Sequence, residues 1–153
     1  MLNNTNAQRA TENGLSAMQQ SIISIAILTA KGDSPKLKKV MIIGLDAGLT
    51  INKIKEAIVH LYAYCGFPRS IRGLQIFMEV LDERKAKNIH DIPGNDASPI
   101  NEQGSKYERG KKILETLTQT PQPDTLTGYS AFAPVIDTFL KEQLFADIFE
   151  GDV

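Results

Sequence analysis

Glu56, His60, Tyr64, Cys65 and Arg69 are the residues of this chain whose types and spacing could do chemistry. They lie in one stretch that runs from a helical pattern into the stop Gly66-Phe67-Pro68. With Glu56 placed at zero on a helical wheel, His60 falls at about 40° and Tyr64 at about 80°, from about 100° per residue. A stripe of Ile51, Ile54, Ile58, Leu61 and Cys65 is centred near the opposite side. A histidine beside apolar residues is a natural acid or base near neutral pH. Burying it with an acidic neighbour is costly unless the two groups satisfy each other or a ligand does so. In a chemical reading Glu56 orients and charges His60, Tyr64 donates to a developing oxyanion, and Arg69 pairs with a substrate carboxylate. The same residues also read as a surface Glu–His pair one turn apart with aromatic filler around it. Cys65 sits on the apolar stripe, where a thiol packs as a small hydrophobe. A reactive thiolate there needs exposure and a nearby cation.

The elements that must position these residues are helical. Ser16 with Gln19 forms a capping-box pattern ahead of a helix reaching about Lys31, which Gly32-Asp33 ends. Ser34-Pro35 is expected to cap and open a second helix that runs to about Ala47 and stops at Gly48. Thr50 caps a third, expected to continue unbroken through Cys65. A fourth opens at Pro68 and is expected to bury Ile71, Leu74, Phe77, Met78 and Leu81. The stretch from Asn88 to Gly104 is rich in Pro, Gly, Asn, Asp and Ser and reads as a linker or surface excursion; His90 within it is expected to be exposed. A fifth helix fits Ser105 to about Thr118, and a last one fits Ala133 to Phe149 with a Phe-rich apolar stripe. No useful period-two pattern appears, so the chain is expected to be all-α with about six helices. The expected organisation is an arm over 1–14, a helical core over 15–88, a linker over 89–104 and C-terminal helices over 105–153.

Composition narrows the function classes. The 153 residues suit one domain or slightly more, and 42% hydrophobic content supports a sizeable core. A formal net charge of -1 gives no bulk field for nucleic acid or anionic membrane. Lys38-Lys39 and Lys111-Lys112 are isolated basic pairs, far short of a binding stripe. One cysteine allows neither an internal disulfide nor a CxxC site. No apolar run reaches transmembrane length. These features set the expectation of a cytoplasmic protein with no membrane or nucleic-acid partner. Neither metal-ligand spacing nor a phosphate-cradling glycine loop is evident.

Gly44-Leu45-Asp46-Ala47-Gly48-Leu49-Thr50, then Glu56 and His60, then Tyr64-Cys65-Gly66-Phe67-Pro68-Arg69-Ser70, resemble the carboxymuconolactone decarboxylase family, which includes the alkylhydroperoxidase-D-like proteins. The resemblance covers about Leu15 to Arg84. It implies an all-α bundle that assembles into ring-like oligomers, commonly trimers or hexamers. It also implies a cofactor-free carboxy-lyase for a small carboxylated lactone or related acid, with Glu56 and His60 at the family's polar positions on the active-site helix. The peroxidase branch of the family uses a CxxC pair and a following histidine. Here Cys65 stands alone, and Ile71 to Phe77 contain no histidine. The decarboxylase branch tends to carry a histidine in its second helix, where this chain has Lys38-Lys39-Val40. The segment from Phe132 to Phe149 resembles the lead-in to a second family repeat. Two further readings stand beside the lyase: a thiol-dependent antioxidant acting through Cys65, and a non-catalytic oligomeric scaffold built on the last helix.

Overall fold

The computed structural model describes residues 14–96, 98–99 and 103–152, without the side chains of 151 and 152. It is helical, and among the described residues there is no strand. The chain divides into two compact units, Met1–Asp96 and Ala97–Val153.

The first unit holds α1 (Ala17–Lys31), α2 (Ser34–Asp46), α3 (Ile51–His60), α4 (Tyr62–Cys65) and α5 (Phe67–Ala86). Local signals set its boundaries. The Ser16 hydroxyl accepts from the Gln19 N–H at 3.2 Å, and the Ser16 N–H donates back to Gln19 Oε1 at 2.9 Å, which completes the capping box. Thr50 caps α3 by accepting from the Lys53 N–H at 3.2 Å. The cap of α2 differs from expectation: Asp33 accepts from the Lys36 N–H, and Ser34 is already the first helical residue. A carboxylate is a stronger acceptor at a helix start and also complements its dipole.

Ile25 of α1, Leu37, Met41 and Leu45 of α2, Leu49 of the turn before α3, Ile54 and Ile58 of α3, and Ile76, Phe77 and Val80 of α5 form one buried cluster. The expected face of α5 is corrected. Phe77 is buried as expected, but Ile71 and Met78 are 51% and 64% exposed, while Ser70, Gly73, Ile76, Val80 and Arg84 are buried. Small residues win that face because α5 runs close to its neighbours. A Cβ at Gly73 would lie 2.9 Å from Thr29 Cγ2 and 3.1 Å from Ile58 Cγ2. Leu74 and Leu81 lie at its margin, partly buried against the cluster.

After α5 the chain stays on the first unit. Arg84, 8% exposed, forks onto Asp91 with contacts of 2.8–3.0 Å and also reaches Asp46 at 2.9 Å. The hydrogen bond to Asp91 leads in raising the Arg84 pKa above its ordinary value, against the opposing effect of burial. The Ile51 and Asn52 N–H groups donate to the Ile92 and Pro93 carbonyls, both at 2.9 Å. The Asn52 side chain donates to the Asn95 carbonyl and to Asp96 Oδ1, both at 3.0 Å. These bonds satisfy the free start of α3 and turn residues 91–96 into a strap. His90 is exposed, as expected.

The second unit holds α6 (Lys106–Thr118), α7 (Gly128–Phe132), α8 (Pro134–Phe139), a π-helical segment Leu140–Ala146 and a 3₁₀ turn Phe149–Asp152. The single helix expected over Ala133 to Phe149 is therefore corrected to three conformations in succession. At the π segment the Lys141 backbone lies so close to Gly110 of α6 that no Cβ would fit. This tertiary contact between backbones is beyond the reach of local periodicity. Buried here are Gly110, Ser130, Asp137, Lys141 and Ala146. Phe132, Val135, Ile136 and Phe139 are 92%, 58%, 48% and 47% exposed.

Candidate functional site

The five residues sit where α3 ends, α4 turns and α5 begins. The helix expected to run through Cys65 breaks at Leu61, whose carbonyl accepts from the Tyr64 and Cys65 N–H groups at 3.0 and 2.9 Å. The chain then reverses at Gly66, whose φ of 81° is a conformation that side chains with a Cβ rarely adopt. Tyr62 and Phe67 stack across the turn with ring centroids 4.9 Å apart. Beneath it, the Ser70 hydroxyl, 4% exposed, donates to the Ile58 carbonyl at 2.6 Å and ties the start of α5 to the end of α3. Sequence reasoning missed Ser70. Its signal was a small polar residue in the first turn of α5, facing the Ile58 stripe.

The structure brings His60 and Tyr64 together. His60 Nε2 and the Tyr64 hydroxyl are 3.1 Å apart, and the rings stack at 5.4 Å with planes 10° apart. His60 is half-buried, whereas Tyr64 is 62% exposed. Glu56, one turn before His60, is exposed. The imidazole therefore has a defined partner on one ring nitrogen, and that partner follows it in sequence. The phenol lends this nitrogen either a donor or an acceptor, so the His60–Tyr64 pair can relay a proton at the protein surface.

The other two residues point elsewhere. Cys65 is half-buried, and its thiol donates to the Leu61 carbonyl at 3.1 Å. A dithiol cycle would need a second thiol from outside this chain, which has one cysteine. The Arg69 guanidinium lies across Gly32, at the C-terminal end of α1, in the space that a Cβ there would take. A cation in that place complements the negative end of the α1 dipole. No group of three or more His, Cys, Asp or Glu that could hold a metal occurs among the described residues. No helix there is long and apolar enough to cross a membrane.

A helical unit with a histidine at the end of one helix, a glycine turn and a proline-started helix after it defines an all-α class of protein. The chain belongs to the carboxymuconolactone decarboxylase family, whose model matches residues 1–79, a little over half of it. The match takes in α1 to α4 and most of α5 and stops short of the second unit. No curated protein matches the chain.

Proposed function

We propose that the chain is a cofactor-free carboxy-lyase for a small carboxylated lactone or a related acid, with His60 as proton donor. The observation that carries this reading is the His60–Tyr64 hydrogen bond of 3.1 Å beside the exposed Glu56. In the reaction the bond between the ring carbon and the carboxylate breaks and carbon dioxide leaves. The electron pair stays behind as a dienolate. The His60 imidazolium then delivers a proton to carbon, forming the new C–H bond. Tyr64 holds the imidazole and offers its hydroxyl to the enolate oxygen, and Glu56 is the acidic neighbour one turn before it. Arg69, whose guanidinium lies over Gly32, takes no part in this step. Tyr64, Phe67 and Ile71, exposed by 62%, 63% and 51%, form an apolar rim beside the pair. A second copy of the chain covering this rim, within a trimer or hexamer, would exclude water from the reacting carbon.

Spectrophotometric assay of a carboxylactone panel tests the proposal. His60→Ala is expected to lower kcat by about 100-fold or more, the range of a single general acid. Tyr64→Phe, which removes the hydroxyl bonded to His60, is expected to lower kcat while retaining part of the activity. Equal turnover by wild type and His60→Ala would remove His60 from the mechanism.

A further inference from the structure

A groove of about 590 Å³ runs between the start of α1 and the length of α3, well away from the Arg69 guanidinium at the far end of α1. Its floor is apolar, built from Leu15, Met18, Ile22, Leu49 and Ala57. Among the described residues, Lys53 is the one charged residue that lines the groove, and its side chain has no ion-pair partner among them. Ser16 and Gln19, the capping-box pair of α1, line the same groove. The first turn of α1 and Lys53 of α3 thus border the same groove. Lys53, Ala57 and His60 follow one another at i, i+4 and i+7 along α3. At 1.5 Å per residue the lysine stands about 10 Å from the histidine along the helix.

The geometry points to this groove as the binding site for an amphipathic organic acid, with its carboxylate on Lys53 and its apolar body along Met18, Ile22 and Ala57. The volume lies within the range of small-molecule sites, and apolar walls with a single well-placed charge are their usual chemistry. Lysine favours an anion, and among the described residues no carboxylate lines the groove to compete. That the site serves the reaction at His60 rests on the function proposed above; that it binds the acid does not.

The test uses the full chain and two probes of one shape, 4-phenylbutyrate and 4-phenylbutan-1-ol, followed by amide chemical shifts. The acid is expected to shift resonances of residues 15–23 and 49–57 and to bind about fivefold more tightly than the alcohol. Lys53→Met should abolish that preference, leave alcohol binding unchanged and keep the folded spectrum; Lys53→Arg should restore it. Shifts centred on Gly32 and Arg69, or an acid preference that survives in Lys53→Met, would overturn the assignment. Acid binding lost in Lys53→Met in a protein without lyase turnover would uphold the groove and remove the proposed reaction. Turnover that depends on His60, with a KM unchanged in Lys53→Met, would do the reverse.

Discussion

The two units of this chain are held together by different physics. The first buries ten hydrophobic side chains in one cluster, drawn from α1, α2, α3, α5 and the turn at Leu49. The second is centred on a polar network. Lys141 Nζ donates to Asp137 Oδ1 and Oδ2 at 3.0 and 2.8 Å and to the Tyr107 hydroxyl at 2.8 Å. Tyr107 donates in turn to Asp137 Oδ2 at 2.6 Å, and Ser130 donates to Oδ1 at 3.3 Å. Asp137 is 4% exposed and Lys141 2%. Burial alone would push both groups toward their neutral forms. The bonds outweigh it, holding the Asp137 pKa below its ordinary value and that of Lys141 above. An apolar cluster tolerates the loss of a member in proportion to the cavity left behind. A network of this kind tolerates loss poorly, because each partner removed strands another.

Mutations that strand a charge should separate the units most sharply. Lys141→Met leaves Asp137 buried and unpaired, and it is expected to cost the second unit about 4 kcal/mol. Hydrogen exchange of the α6 amides would report this, with the amides of α2 and α5 unmoved. Removing the charges and the phenol together, as Asp137→Leu, Lys141→Met and Tyr107→Phe, should recover most of the loss. Failure to recover would mean that the network contributes more than its own satisfaction. In the first unit Ile58→Ala is expected to cost about 3 kcal/mol, the usual range for emptying a fully buried aliphatic site. Urea unfolding followed at the α3 amides would measure it.

pH gives the smallest and most selective contrast. The Asp137 contribution is present above its unfolded pKa and is lost as pH falls below about 4. The Lys141 contribution is present below its unfolded pKa and fades as pH rises past about 10.5. Exchange protection in α6 should therefore weaken at both extremes, before that of the Ile25–Ile58 cluster does. Equal sensitivity in both units would break the comparison.

The first unit was far more legible in the sequence than the second, and for a physical reason. Ser16 with Gln19, Thr50, Gly32 and Gly48 act within a few residues of themselves, so they announce their helices locally. The face of α5 was misread because Ser70 and Gly73 are buried for closeness and a hydrogen bond, properties that an apolar pattern does not record. The π segment depends on Gly110, some thirty residues away, and Asp137 with Lys141 reads locally as an ordinary surface pair. At the site, the spacing identified Glu56, His60 and Tyr64 as one face of α3 and its continuation. It gave no means of ranking Tyr64 over Glu56 as the neighbour that His60 bonds. Lys53 went unremarked because a lysine on a helix surface is common, and the wall opposite it belongs to α1.

The strap after α5 bears on where this protein can be cut. Arg84 is buried on the assumption that Asp91 will be there to meet it, and the opening N–H groups of α3 are answered by Ile92 and Pro93. A fragment trimmed neatly at the last helical residue, Ala86, would expose a buried cation and an unanswered helix start together. A cut after Asp96 keeps both sets of bonds, so the border of the first unit is drawn by hydrogen bonds rather than by the end of a helix.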